Sequence, residues 1–205
     1  MRTLYHDAHL LLVDKPSGLL SQPGRTLQDS VHHRLQQRFH GIELLHRLDQ
    51  PTSGIMVFAL SVAARKSLAR QFQERQVSKA YQAIVYGTLP EQGQVDWPMR
   101  CDWPNRPRQE IHAEGKAALT HWQVLETLTL NGQRCSRVRL TPVTGRSHQL
   151  RVHMAHMGTP IIGDNLYAHE AALAAAPRLN LHAEILRFNH PINQQRMQFY
   201  CAPSF

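Results

Sequence analysis

Residues 46–60 read His46-Arg47-Leu48-Asp49-Gln50-Pro51-Thr52-Ser53-Gly54-Ile55-Met56-Val57-Phe58-Ala59-Leu60, so that a charged turn runs directly into an apolar strand. A loop of this kind can hold a carboxylate at the lip of a sheet, and loops on rigid scaffolds are where chemistry tends to lie. The alternative is a strand-entry turn in which Asp49 and Thr52 make local backbone hydrogen bonds and Gly54 supplies a permissive φ. Residue spacing alone favours this second interpretation.

The length and composition predict one globular domain over residues 1–205, since the chain has 205 residues and is 42% hydrophobic. No apolar run reaches the roughly 18 residues that a membrane span needs. The N-terminus has no basic segment followed by an apolar core, so nothing indicates secretion. Three cysteines, far apart and without a C-x-x-C pair, suit a reducing compartment. We therefore expect a cytoplasmic protein with no membrane partner.

A formal net charge of +8 favours a polyanionic partner, most often nucleic acid. Charge alone does not distinguish DNA from RNA, and a solvated basic surface is the simpler alternative. Among 14 histidines, His153 and His156 come nearest to a pair of metal ligands. They lack the spacing and the partners of an H-E-x-x-H site, so we predict no metal.

The first half of the chain alternates short strands with helices. Residues 3–14 predict two strands around a turn, the second of them buried on both faces. Thr26 or Asp29 is expected to cap a helix reaching about Phe39, and Ser61 a helix reaching about Gln76. The second helix has an apolar stripe, and its basic residues face either solvent or nucleic-acid phosphate: Arg65, Lys66, Arg70 and Arg75.

The second half predicts mainly strands: 79–87, a hairpin of 118–128 with 135–143 around Asn131-Gly132, and two final strands. Residues 88–116 read as irregular, and Trp97 and Trp103 there could either pin the segment to the core or stack on nucleic acid. Thr144 is a possible cap for a three-turn helix that ends at Gly158. The prediction is an α+β fold with a mixed, largely antiparallel sheet flanked by helices.

Four motifs in order resemble those of the RluA family of pseudouridine synthases, and the resemblance covers essentially the whole chain. They are Lys15-Pro16-x-Gly18 followed by Pro23-Gly24, then His46 to Gly54, then Lys79-x-Tyr81, and finally Gly145 to His153 followed by Gly158-x-Pro160-Ile161-x-Gly163-Asp164. The resemblance implies a catalytic domain with a central RNA-binding cleft. It also implies isomerisation of uridine in RNA, in which the base leaves ribose at N1, rotates and rejoins through C5.

The resemblance also assigns site residues. Asp49 corresponds to the essential aspartate, whose carboxylate can act as nucleophile or base. Arg151 corresponds to its ion-pair partner, although by spacing alone it reads as an arginine on a wet helix face. Tyr81 corresponds to the tyrosine that packs on the uracil, and otherwise reads as an ordinary strand aromatic. Arg47 corresponds to a residue that fills the space left by the flipped uridine, and Arg146 is a candidate phosphate contact.

The substrate implied is RNA and not DNA. Cys101-Asp102-Trp103-Pro104-Asn105-Arg106-Pro107 further resembles members that modify both large-subunit rRNA and the anticodon stem-loop of tRNA. Many relatives carry a small RNA-binding domain before the catalytic one, and Lys15-Pro16 lies too near the start for us to expect it here. Substrate choice would then rest on residues 20–45 and 97–112. We expect a monomer that needs no metal or organic cofactor.

Three alternatives stay open on sequence grounds. The same chemistry could act on a different rRNA or tRNA uridine only. A glycoside hydrolase normally needs a facing pair of carboxylates, and no second one stands out near Asp49. A basic RNA-binding protein without catalysis would explain the charge but gives no reason for an anion at Asp49.

Overall fold

A computed structural model describes all residues, 1–205, and divides them into two compact units. Unit 1 comprises residues 1–79 and 183–204, and unit 2 comprises residues 80–182 with Phe205. The fold is α+β as predicted, with antiparallel strand pairs predominating and four helices. None of these helices is both long enough and apolar enough to cross a bilayer.

Unit 1 is built on a layer of antiparallel strands. The strands are β1 (Arg2–His6), β2 (Leu10–Lys15), β3 (Glu43–Leu44), β4 (Ser53–Ala59), β11 (Leu181–Asn189, which begins in unit 2) and β12 (Arg196–Tyr200). β2 pairs with β1 and β4, β3 pairs with β4, and β12 pairs with β11. Residues 10–13 are at most 1% exposed, which confirms a strand buried on both faces.

Two helices complete unit 1: α1 (Val31–Gln36) and α2 (Val62–Gln73). The Ser61 hydroxyl caps α2 by accepting from the Ala64 N–H at 3.2 Å, as predicted. Ala64 and Leu68 pack into the core with Ile55 and Val57 of β4, so α2 covers one face of the strand that follows Asp49. The basic residues of α2 are exposed, and their contact with phosphate stays a prediction.

The predicted cap of α1 was wrong. The helix begins after Ser30, whose hydroxyl accepts from the His33 N–H at 3.1 Å. Asp29 instead makes a two-pronged contact with Arg34, at 2.7 and 2.6 Å. The Asp29 carboxylate pairs with the Arg34 side chain about one turn later, and the Ser30 hydroxyl therefore accepts the hydrogen bond from the helix N-terminus.

Unit 2 contains a second antiparallel layer. Its strands are β5 (Ser78–Tyr86, which begins in unit 1), β6 (Gln92–Asp96), β9 (Leu119–Leu130) and β10 (Gln133–Pro142), paired in the order β5-β10-β9-β6, with β7 (Met99–Cys101) and β8 (Gln109–Ile111) as a separate pair. The predicted hairpin is confirmed: Asn131 and Gly132 have φ of 49° and 78°, the left-handed pair of a two-residue turn.

The interpretation of residues 88–116 as irregular was wrong, because β6, β7 and β8 lie there. The prolines and glycines that suggested a loop lie mostly between these short strands or at their ends. Gly93 lies within β6, where a Cβ would meet the Trp122 ring. A glycine inside a strand marks close approach by a neighbour, here an indole across the β6–β9 pair.

Two helices belong to unit 2: α3 (Gln149–His156) and α4 (Glu170–Ala174). The predicted cap of α3 at Thr144 was wrong, since the helix begins after His148, whose φ is 55°. The Thr144 hydroxyl accepts from the Leu119 N–H at 3.0 Å and donates to Gln149 Oε1 at 2.8 Å. Gly158, with φ of 79°, ends the helix as predicted.

Candidate active site

The loop that carries Asp49 is fixed to unit 1 through its own backbone. Arg47 is exposed and Asp49 is half-buried, while Leu48 between them is 6% exposed. The buried Ser21 hydroxyl accepts from the Leu48 N–H at 3.0 Å and donates to the Leu48 carbonyl at 2.6 Å. The Ser21 side chain therefore holds both the N–H and the carbonyl of Leu48, the residue before Asp49.

The other side of Asp49 is held by a buried lysine. The Lys15 Nζ donates to the carbonyl oxygens of Pro16, Leu19 and Gln50 at 3.0, 2.6 and 2.9 Å. The Gly18 N–H donates to the same Gln50 carbonyl at 2.9 Å. Lys15 is 0% exposed, and burial lowers its pKa to about 8 against the opposing attraction of the Asp49 charge. The lysine thus connects two loops and places a cation near the carboxylate.

His46 orients the loop and carries no positive charge near neutral pH. Its Nε2 accepts from the Val57 N–H at 3.0 Å, and its ring stacks on Phe72 at 5.1 Å. Burial, and secondarily the charge of Lys79, lower the His46 pKa to about 3. The ring is therefore neutral, with its proton on Nδ1, and it supports the loop as a hydrogen-bond acceptor.

Gly54 ends the loop at a point that admits no side chain. Its φ is +114°, and a Cβ built there would lie 2.6 Å from the Ala183 backbone nitrogen on β11. A larger residue would push β4 away from β11 and move the loop with it. The glycine of the motif is therefore required by close backbone approach as well as by φ.

Arg151 lies on α3 in unit 2 and is buried, 2% exposed, so its interpretation as an arginine on a wet face was wrong. Its Nε and Nη2 donate to the two Asp164 carboxylate oxygens at 2.8 and 2.7 Å. Asp164 also accepts from the Leu166 and Tyr167 N–H groups at 2.9 and 3.2 Å. This carboxylate fixes the guanidinium plane, and charge-assisted two-pronged contacts are among the strongest in proteins.

Tyr81 and Arg146 occupy more open positions in unit 2. Tyr81 lies on β5 opposite Leu140 of β10 and is half-buried against the core of the unit. Arg146 is exposed, and its Nε donates to the Ala117 carbonyl at 3.0 Å. The buried Gln149 shapes the turn before α3, since its Oε1 accepts from the Arg146 N–H at 3.0 Å.

The two histidines considered as metal ligands, His153 and His156, make contacts with other residues of unit 2. His153 is 0% exposed, with Nδ1 at 3.0 Å from Thr120 Oγ1 and Nε2 at 3.1 Å from the Trp97 carbonyl. His156 packs edge-on against the Trp97 ring, with ring centroids 4.8 Å apart. Both nitrogens of His153 thus have internal partners.

The structure divides the predicted site residues between the units: Arg47 and Asp49 in unit 1, and Tyr81, Arg146 and Arg151 in unit 2. Sequence reasoning gave no role to Lys15 or Asp164. Both lie within quoted motifs, Lys15-Pro16 and Gly163-Asp164, and that was the only signal for them. The structure adds that Lys15 and Asp164 are both buried charges.

Solved structures with similar folds define the class. The human RNA pseudouridylate synthase domain containing 1 is 31% identical, with a TM-score of 0.86 over 99% of this chain and 83% of that one. The human RNA pseudouridylate synthase domain containing 4 is 28% identical, with a TM-score of 0.77 over 99% and 89%. The fold is that of a pseudouridine synthase.

Sequence comparisons narrow the class. The family model described as RNA pseudouridylate synthase matches residues 9–156. The Haemophilus influenzae dual-specificity RNA pseudouridine synthase RluA is 52% identical over 98% of this chain and 93% of its own. The Yersinia pestis protein of the same name is 50% identical over the whole of both chains, and the Escherichia coli one 50% over 98% and 93%. The chain belongs to the RluA family of RNA pseudouridine synthases, which isomerise uridine in RNA.

Lys15→Met is expected to lower turnover roughly tenfold to a hundredfold, because three carbonyls lose the hydrogen bond from the ammonium group and the Asp49 loop shifts. Single-turnover rates on RNA measure this. Arg187→Met removes an exposed cation of β11 that has no proposed RNA contact, and it serves as the control. Equal rates for the two variants would show that the loop keeps its shape without Lys15.

Acidification is expected to destabilise the fold through His46. Its pKa is about 3 in the folded chain against an ordinary 6.5, so the unfolded chain alone binds a proton between these values. Stability is retained above the ordinary value and falls below it, with a slope approaching about 1.4 kcal/mol per pH unit. Denaturant unfolding of wild type and His46→Phe, from about pH 7 to about pH 4, should show the difference shifting in favour of the variant. A difference that is constant with pH would contradict this.

Proposed function

We propose that this chain forms pseudouridine in two RNA classes, large-subunit (23S) rRNA and the anticodon stem-loop of tRNA. The observation that carries this proposal is 50% identity, over the full length of both chains, to a relative named a dual-specificity RNA pseudouridine synthase. The resemblance of residues 101–107 to such members supports the choice of rRNA and tRNA. The alternative is the same isomerisation on a uridine of one class only.

Asp49 is proposed as the essential catalytic group. The reaction breaks the bond from ribose C1′ to uracil N1 and forms one from C1′ to C5. The C5 proton goes to solvent, and N1 takes up a proton, so the product is an isomer of the substrate. It is redox-neutral, so side chains can carry it without a cofactor. A carboxylate can attack as a nucleophile or remove a proton as a base. The hydrogen bonds on both sides of Asp49 support this role, because a catalytic group acts best on a pre-organised backbone.

Four further residues are proposed to handle the RNA. Arg47, exposed two residues from Asp49, is suited to enter the gap left by a flipped nucleotide and offset part of the unstacking. Tyr81 is proposed to pack on the uracil, and exposed Arg146 to contact phosphate. Arg151 is proposed to act with Asp49. A guanidinium has five N–H donors and the Asp164 contact uses two, so the two roles are compatible.

We further propose that the chain acts as a monomer in the cytoplasm, where rRNA and tRNA are both substrates. The three cysteines are free thiols, which suits a reducing compartment. Gel filtration with light scattering tests the monomer.

The test of function uses purified protein with unmodified large-subunit rRNA and unmodified bulk tRNA in separate reactions. Carbodiimide treatment followed by primer extension maps pseudouridine as stops. Stops in both RNAs support the dual substrate. Stops in one RNA alone support the single-class alternative. No stops in either RNA, with binding intact, would point to another RNA target.

A further inference from the structure

The two tryptophans of the 97–112 region differ in their surroundings. The Trp97 carbonyl bonds His153 and its ring packs on His156, so Trp97 is pinned to unit 2. Trp103, at the tip between β7 and β8, is 68% exposed and is the most exposed large hydrophobic residue of the chain. The sequence allowed both tryptophans either role, and the structure separates them.

Trp103 lies on a turn that internal hydrogen bonds keep ordered. The Asp102 N–H donates to the Arg108 carbonyl at 3.1 Å, and the Arg108 N–H to the Asn105 carbonyl at 3.0 Å. The Asn105 N–H donates to the Asp102 carbonyl at 3.1 Å, and its side-chain amide to the Asp102 carboxylate at 3.1 and 3.0 Å. The backbone that carries Trp103 is therefore ordered before binding, which lowers the entropy lost on binding.

One face of the indole is covered by a cation. The Arg106 guanidinium lies 3.3 Å from the Trp103 ring centroid, and no other aromatic ring contacts Trp103. With one face stacked and the residue 68% exposed, the second face is open to solvent. Arg106 and Arg108 have no acidic partner, whereas Arg100 is paired with Glu110 at 2.7 Å. The tip thus combines one open aromatic face with two cations that have no ion-pair partner.

The base of this hairpin is anchored beside Arg151. The Gln109 N–H donates to the Tyr167 hydroxyl at 2.8 Å. The Arg108 and Arg151 guanidinium carbons lie 5.5 and 5.2 Å from the Tyr167 ring centroid. The tip is therefore connected, within unit 2, to a residue proposed to act in the reaction.

We propose that the open face of Trp103 stacks on an unpaired nucleotide of the substrate RNA other than the isomerised uridine, with Arg106 and Arg108 meeting its flanking phosphates. Base stacking on an aromatic ring next to cations is the usual mode for unpaired RNA. An apolar protein partner would leave both charges without a counterion. The proposal rests on the proposed function, because it assumes that stem-loop RNA is the substrate.

Trp103→Ala is expected to weaken RNA binding by about 5-fold to 150-fold, with the loss appearing in KM. Trp103→Tyr, which keeps an aromatic face, should recover most of this affinity. Tyr200→Ala is the matched control, because Tyr200 is an aromatic residue 60% exposed on β12, outside the hairpin. It should bind RNA as wild type does.

The deciding experiment is a cycle of protein and RNA changes. Anisotropy of a labelled anticodon stem-loop and a labelled rRNA stem-loop gives affinities, and each unpaired nucleotide is replaced in turn by an abasic one. When the nucleotide that stacks on Trp103 is the abasic one, Trp103→Ala should cause no further loss of affinity, because that RNA has no base to stack. A loss of equal size on every abasic RNA, or no loss on any RNA, would overturn the proposal. Absence of pseudouridine formation by wild type would contradict the proposed function alone, since these affinities are measured without turnover.

Discussion

Asp49→Asn is expected to lower turnover by at least about a thousandfold while RNA binding is retained or strengthened. The amide has nearly the same shape but is neither a nucleophile nor a base in this reaction. The loop should keep its geometry, because Ser21 and Lys15 hold the backbone of Leu48 and Gln50 on either side of Asp49. Removing an anion from a basic RNA-binding protein should not weaken its attraction to phosphate.

The measurement follows from the reaction itself. The C5 hydrogen of uridine is lost to solvent, so RNA labelled with tritium at C5 releases tritiated water at each turnover. Glu126→Gln is the control: this carboxylate is exposed on β9, pairs with Arg137, and lies outside the two regions expected to choose the substrate. It should turn over as wild type does. Turnover by Asp49→Asn within tenfold of wild type would exclude this carboxylate as the essential group.

Local signals predicted those parts of the fold in which neighbouring residues decide the structure. Ser61 and the stripe of Ala64 and Leu68 gave α2 correctly, and Asn131-Gly132 gave the long hairpin. The cap of α1 failed because Asp29 and Ser30 are both good caps, and only the contact of Asp29 with Arg34 leaves the role to Ser30. A choice between adjacent residues of similar propensity depends on side chains further along the chain.

The start of α3 failed for a tertiary reason. Thr144 has the chemistry of a cap, yet its hydroxyl bonds Leu119, 25 residues earlier in the sequence, and Gln149 fills the turn that follows. Similarly, β6 to β8 are short strands whose pairing partners compensate for weak local propensity. Such contacts follow from the assembled unit and have no signature in a window of ten residues.

The candidate site also has features that the sequence predicts and features that depend on tertiary contacts. Motif resemblance identified Asp49, Arg47, Tyr81, Arg146 and Arg151, and their functional roles stay proposals. Spacing placed Arg151 on a wet face, whereas it is buried against Asp164, 13 residues on. Lys15 meets Gln50 across 35 residues. A buried charge can be located only when its partner is known, because an isolated charge is not stable in a core.

The Arg151–Asp164 pair provides a test that separates a structural role of Arg151 from a role in the reaction. Both side chains are at most 2% exposed, so removing one leaves the other charged and buried. The exposed Arg34–Asp29 pair has the same two-pronged geometry, with Nη2 to Oδ2 at 2.6 Å, and is a natural control. Any difference between the two pairs therefore reports burial and not contact geometry.

Arg151→Met and Asp164→Asn are each expected to lower the free energy of unfolding by about 3–5 kcal/mol. The double variant should lose clearly less than the sum, because no lone charge remains buried. Asp29→Asn, in an exposed pair that solvent screens, should cost far less than either of these variants. Denaturant unfolding measures these values, and tritium release measures turnover. If Arg151 acts with Asp49, the double variant regains stability but not turnover; recovery of both would limit Arg151 to support, and additive losses would contradict the buried pair.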